Sequence, residues 1–294
     1  EHQSEEHAGA SDAERWRWAA VQDIANLVAP GGFSLSGYTD ALANLIEVLV
    51  DIIPAHTIAH GASAADAPAF AALRSTLAAQ HGDPSETVKL VFRSLLPIFL
   101  ATPGNSIPTG TTISKIALQC RNAAVNFVTS LMRDESSDFM QKHSVHLVAL
   151  CQHMCMRASD KREFRQSAHK TIVTLLLLLP EDKLSQFTRF LTKYSKNERA
   201  LYRHFACDVS LELAHRLPAA TLNTSAAFAI LKGRASDKTP TVRTRAVVQL
   251  AACLAGPRVV DLVGNGTAVA SLLTLARARS RDEKAAVRKA GVQM

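Results

Sequence analysis

Apolar residues recur along the chain at three- and four-residue spacing, and nowhere in the strict alternation of a half-buried strand. The pattern predicts helices over residues 14–28, 38–53, 66–80, 85–101, 113–132, 139–156 and 164–179. It continues over 184–194, 199–217, 226–232, 241–254, 259–279 and 284–294. Pro30-Gly31-Gly32 is expected to break the first helix and Pro54 to end the second, with an Ala/Gly-rich linker near 55–65. The stretch 175–179 is apolar on every side, so it is expected to be buried on every side.

A short motif recurs at a fixed phase of these helices. An apolar residue, an Arg, and a small residue three positions later occur as Cys120-Arg121…Ala124, Phe164-Arg165…Ala168, Tyr202-Arg203…Ala206 and Val242-Arg243…Ala246. A degenerate fifth copy, Val287-Arg288…Gly291, has glycine at the small position. The arginines at 121, 165, 203, 243 and 288 follow one another at intervals near forty residues, the period of a stacked helical array. Asp160, Asp237 and Asp282 precede their copies, and Pro180, Pro218 and Pro257 follow theirs. Arg157-Ala-Ser-Asp-Lys161 returns verbatim as Arg234-Ala-Ser-Asp-Lys238.

One unit explains itself physically. Asp237 and Thr239 offer acceptors to the free N–H groups that open a helix, and Pro240 suits the first helical turn. Val242, Ala246, Val247 and Leu250 supply the apolar face, and Gly256-Pro257 the stop. The small residue at each Ala position lets a neighbouring helix approach closely. Such a pair cannot bury its face alone and must stack on the next.

An Asp in the turn, then Val-Arg, then Ala, is the pattern of HEAT repeats. The segment 234–246 resembles more specifically the HEAT array of the D-type regulatory, non-SMC subunits of condensin II, and the resemblance covers residues 113–294. It implies an all-α HEAT-repeat α-solenoid. It also implies a non-catalytic scaffold for chromosome condensation in the nucleus, with the kleisin, the other condensin II subunits and double-stranded DNA as partners. A HEAT scaffold of another pathway, nuclear transport or phosphatase assembly, shares the generic part of the pattern. The expected organisation is a disordered tail over 1–12 and an acidic helical segment over 13–101 whose helices are candidates for leading HEAT-like pairs. A loop over 102–112, with a minimal proline-directed site at Thr102-Pro103, precedes a basic HEAT array over 113–294. The chain lacks an initiator Met and stops within a helix of the last repeat, as a fragment of a longer polypeptide would.

Charge sharpens the picture. The 33 Lys and Arg divide five and twenty-eight on either side of position 110, and the 26 Asp and Glu twelve and fourteen. The repeat region is therefore strongly basic and the leading region acidic, which points to an anionic partner for the repeats. Arg157, Lys161, Arg162, Lys193, Lys196, Arg199, Arg234, Lys238, Arg279, Arg281 and Lys284 flank turns of one type. Stacked along one edge, they form a ridge suited to a phosphate backbone. The same residues suit equally a solvated rim with local ion pairs to Asp160, Asp237 and Asp282. Arg165, Arg203, Arg243 and Arg288 are assigned instead to a structural ladder, each pairing with a turn Asp of its own or the next repeat.

Other chemistry is not expected. No Gly-rich loop follows a strand, and the eleven histidines stand beside no Ser or Cys motif, so neither an enzyme nor a cofactor is predicted. Cys151, His153 and Cys155, with His146, lack the second ligand pair of a zinc site. The five cysteines read as reduced, intracellular core thiols. Glu181-Asp182, Asp134-Glu135 and Asp282-Glu283 read as residues that open helices. The longest apolar run, near 171–179, is too short to span a bilayer, and no membrane partner is expected.

Overall fold

The computed structural model describes residues 12–60, 68–101, 114–134, 138–217, 221–255 and 266–294. Among them are thirteen α-helices, one 3-10 turn and no strand, and the fold is an all-α helical-repeat solenoid. The chain forms two compact units, Glu1–His146 and Leu147–Met294.

The first unit contains α1 (Asp12–Leu27), α2 (Thr39–His60), α3 (Pro68–Thr76), α4 (Pro84–Leu100) and α5 (Lys115–Met132); α6 (Phe139–Met156) begins in it. Helix α2 packs against α3, α4 and α5, and α3 also contacts α1. Phe70 of α3 stacks on Phe127 of α5 at 4.9 Å. The connection after α1 is pinned by the single 3-10 turn Ala79–His81. His81 accepts the Leu35 N–H at Nδ1, so its Nε2–H donates to the Val28 carbonyl at 2.9 Å. Gln80 adds bonds to the Gly31 N–H and the Ala29 carbonyl.

One proline behaves differently from the sequence expectation. Helix α2 does not end at Pro54 but runs on to His60, so residues 55–60 are helical rather than linker. Pro97 likewise sits inside α4. Proline removes one intrahelical bond and crowds the preceding turn, which costs roughly 3 kcal/mol. Burial opposes that cost: Ile46, Leu49 and Ile53 of α2 and Leu95 and Phe99 of α4 are at most 1% exposed. Elsewhere the local signals hold. Asp83 caps α4 by accepting the Ser85 N–H, and Pro84 takes the first helical position.

The second unit continues from α6 with α7 (Arg162–Leu176), α8 (Glu181–Tyr194), α9 (Ala200–Arg216), α10 (Leu222–Arg234), α11 (Pro240–Ala255), α12 (Gly266–Ser280) and α13 (Ala285–Gln293). Its second helices stack in series, α7 on α9, α9 on α11 and α11 on α13, while the first helices α8 and α10 lie side by side. One apolar cluster joins Cys207 and Ala214 of α9, Phe228 and Leu231 of α10, Val242, Val247 and Leu250 of α11, Leu272 of α12 and Ala290 of α13. No pair closes its own core, which is why the units must stack. The expected all-round burial of 175–179 is corrected: α7 ends at Leu176 and Leu177 is exposed. The fully enclosed stretch is Phe205, Ala206, Cys207, Asp208, Val209 and Ser210 in α9, packed between α7 and α11. The helix stops expected at Pro218 and Gly256-Pro257, and the 102–112 loop with Thr102-Pro103, lie outside the described residues.

The small position of each motif is buried at Ala124, Ala168, Ala206 and Ala246. At Gly291 the approach is closer still. A Cβ built there meets the backbone of Arg279 and Ser280 at 2.6 Å, so α13 packs on the end of α12 without room for a methyl group. We expect Gly291→Ala to destabilise the α12–α13 pair by about 1–3 kcal/mol despite its better helix propensity. A urea titration of the second unit's unfolding, compared with that of Gly233→Ala at an open helical position, provides the check.

Candidate nucleic-acid interface

Four short turns join the first and second helices of successive pairs, at 157–161, 195–199, 235–239 and 281–284. Each opens its following helix with a side-chain acceptor two residues ahead of a backbone N–H. Ser159 Oγ receives Lys161 N–H at 3.1 Å, Asn197 receives Arg199 at 2.9 Å, Asp237 receives Thr239 at 2.9 Å and Asp282 receives Lys284 at 3.1 Å. The motif Arg then folds back on its own turn. Arg203 donates to the carbonyls of Asn197 and Glu198, Arg243 to those of Asp237 and Lys238, and Arg288 to those of Asp282 and Glu283. Arg165 donates to the Asp160 carbonyl.

Two of these arginines, Arg203 and Arg243, also reach forward to the next turn. Arg203 Nε and Nη2 grip the Asp237 carboxylate at 2.8 and 2.9 Å, and Nη2 also reaches Thr239 Oγ1 at 2.9 Å. With its two carbonyl bonds, all five N–H groups of Arg203 are engaged. Arg243 Nη2 meets Asp282 at 2.9 Å. Arg234 and Arg279 add a second guanidinium to Asp237 and Asp282, at 3.0 and 3.2 Å. The Arg203 and Asp237 side chains are 3% and 1% exposed, so this pair is removed from water. Burial disfavours the charged Asp237, but bonds from Arg203 and Thr239 and the charges of Arg203 and Arg234 win, leaving its pKa below the usual carboxylate value. The bond from Arg243 lowers Asp282 in the same way and raises the pKa of Arg243 in turn.

The first turn departs from this scheme. Although 157–161 repeats 234–238 residue for residue, Asp160 is exposed and offers Arg165 only its carbonyl, while Ser159 takes the capping role. Arg165 follows its Asp by five residues rather than six: the two turns are equally long, but Asp160 stands one place nearer the following helix than Asp237 and its carboxylate is left in solvent. The first two turns are tied instead by tyrosines, which the sequence reading did not single out. Tyr194 donates to the Cys155 carbonyl at 2.7 Å and Tyr202 to that of Met156 at 3.2 Å, and the two rings stack at 5.1 Å. Through these links the four turns follow one another along one edge. Arg157, Lys161, Arg162, Lys193, Lys196, Arg199, Lys238, Arg281 and Lys284 are exposed there, with Lys161 over the Phe164 ring and Arg199 over Tyr202. Arg234 and Arg279 are partly buried against the ladder carboxylates.

A second polar link, also missed from sequence, lies between the second helices. Buried Asp208 of α9 accepts from Arg245 Nε and, at 3.0 Å, from Gln249 Nε2 of α11, with His204 Nδ1 at 3.7 Å. The only sequence signal was a carboxylate inside an otherwise apolar run. Burial lowers the pKa of His204 and of nearby His169, with the Asp208 charge opposing in both. Burial raises the thiols of Cys151, Cys155 and Cys207 well above their ordinary range, and that of Cys253 to about 11. All five cysteines are buried thiols outside any disulfide. His153 is exposed while Cys151 and Cys155 are buried, so the three do not converge. Among the described residues no group of three or more His, Cys, Asp or Glu side chains is placed to hold a metal ion. None of their helices is long and apolar enough to cross a membrane.

Arg203→Ala removes the two-pronged partner of a buried carboxylate, leaving Asp237 only Arg234 and the Thr239 N–H, and is expected to cost about 3 kcal/mol, whereas Arg165→Ala, which removes one bond to a backbone carbonyl, costs about 1 kcal/mol. Urea midpoints of the two variants measure the difference. Stability also depends on pH in two steps. The unfolded chain takes up protons on histidine near pH 6.5 while His169 and His204 resist them in the fold, so stability falls as pH drops through that value. The contribution of Asp237 and Asp282 is present above the unfolded carboxylate pKa of about 3.9 and is lost as pH falls through their lower folded values. Urea titrations from pH 7.5 to 3 resolve both steps, and replacing His169 and His204 with Gln shrinks only the first.

No protein-family model matches the chain. Condensin-2 complex subunit D3-L of Xenopus laevis is 28% identical over 285 residues, taking in 73% of this chain and 19% of that protein. Condensin-2 complex subunit D3 of Mus musculus is 31% identical over 194 residues, taking in 59% of this chain and 12% of that protein. The chain thus spans less than a fifth of the length of these curated relatives. In sequence the chain is similar to D3-type subunits of condensin-2, over 59–73% of its own length.

Proposed function

We propose that the chain is a non-catalytic scaffold segment of a condensin-2 regulatory subunit, acting in chromosome condensation in the nucleus. Its partners are the other subunits of that complex, the kleisin among them, and the backbone of double-stranded DNA. The observation that carries the DNA reading is the succession of exposed Lys and Arg at four linked turns. The ladder consumes the buried carboxylates Asp237 and Asp282 internally, so they do not neutralise the lysines outside. What remains is a row of exposed cations at the turns. Contacts of that kind neutralise phosphates and release counterions without regard to sequence.

Binding of duplex DNA by the full chain is expected to be weak, indifferent to scrambling, and steeply salt-dependent, with a log–log slope of roughly −0.9 per neutralised phosphate. Replacing Lys161, Arg162, Lys196 and Lys238 with Glu lowers both affinity and slope while helix content stays intact. Fluorescence anisotropy at several salt concentrations is the measurement. Equal binding by the quadruple variant and the parent reduces the ridge to a solvated rim.

A further inference from the structure

The second and third turns of the series enclose more than a row of cations. Between first helices α8 and α10 lies a groove of about 320 Å³. Thr192 and Ser195 line it on one side, and Ala226, Ala229, Ile230 and Gly233 on the other. Lys196 and Arg234 stand at its end, and the same two residues begin an adjoining polar cavity of about 290 Å³ that continues to Lys238. The two spaces form one trough, apolar along the helices and cationic where it meets the turns.

Two features of the trough have no structural explanation. The first is Gly233. It lies in α10 with no positive φ, and a Cβ built on it meets nothing within 4 Å. Glycine disfavours a helix, and here neither backbone strain nor a close neighbour requires it. Its effect is to leave the groove open above Ile230. The corresponding positions before the second and fourth turns, Lys193 and Ala278, both carry side chains. The second is the charge balance. Asp237 is shared by Arg203 and Arg234, so the buried cluster is already one positive charge in excess. Lys196 and Lys238 then add two exposed ammonium groups with no ion pair of their own among the described residues. Glu198 is the only other carboxylate on the cavity wall.

We propose that this trough docks an acidic peptide segment of a partner protein, with one apolar side chain in the α8–α10 groove and neighbouring carboxylates at Lys196 and Lys238. Charge complementarity selects an anion, and the groove selects among anions. A phosphate backbone has nothing to place over Gly233 and Ile230, whereas a leucine or phenylalanine flanked by glutamates fills both halves of the trough. Arg203 takes no part, since its donors are all used within the ladder. The inference does not rest on DNA binding by the ridge, although the two ligands would compete for Lys196 and Lys238.

The test uses the full chain and fluorescein-labelled peptides that place one leucine or phenylalanine beside a run of glutamates. Control peptides carry Ser at the apolar position or Lys in place of Glu. The parent is expected to bind the acidic apolar peptides, and each control peptide to bind about tenfold or more weakly. Gly233→Leu places a side chain in the groove without altering charge, its Cβ meeting nothing within 4 Å, and should reduce peptide binding about tenfold or more while leaving duplex-DNA binding unchanged and the melting temperature no lower. Lys196→Glu with Lys238→Glu should weaken both ligands. Peptide binding that ignores the apolar residue, or that survives Gly233→Leu, overturns the proposal. So does failure of every acidic apolar peptide to bind.

Discussion

A guanidinium of one helix pair holding the turn carboxylate of the next is the contact on which the second unit depends. Taking Arg203 and Asp237 out of water is costly, and the Coulomb attraction between them does not by itself decide the outcome. Geometry does. The carboxylate also accepts the Thr239 N–H that opens α11, while Arg203 closes on two carbonyls of its own turn. One ion pair therefore terminates one turn, opens the next and sets the distance between them. Arg243 and Asp282 repeat the arrangement one pair later.

Apolar packing and the ladder divide the work between them. The core is continuous from α9 to α13 and is non-directional, so it favours stacking without choosing a register. The polar links choose it. Arg203–Asp237 and Arg243–Asp282 do so at the turns, and Asp208 with Arg245 and Gln249 does so between the bodies of α9 and α11. Small residues at the motif's fifth position permit the approach these links require, and at Gly291 the spacing leaves no room for even one carbon.

Function follows from what the ladder leaves over. Because the ladder's carboxylates are spent internally, the exposed lysines and arginines of the turns are faced only by the exposed Asp160, Glu163, Glu198 and Glu283. An edge of that charge is the physical basis of the contact with a phosphate backbone proposed above. The trough between the second and third turns adds shape to charge, which a bare ridge lacks.

The sequence by itself determined the helical class and the repeat period, and its motif singled out Arg203 and Arg243 among the arginines of one phase. Each is written locally, in three- and four-residue spacing and in a motif that returns at one phase. Tertiary structure decided the rest. Pro54 and Pro97 lie inside helices because neighbouring helices bury the turns around them. Asp160 and Asp237 sit in identical pentapeptides yet face solvent and core respectively, since one residue of spacing to the Arg decides which acceptor comes under the helix. The tyrosine links and the Asp208 cluster join residues some forty positions apart. Only the packing of one pair on another brings such groups within hydrogen-bond reach, and no local pattern encodes which of them will meet.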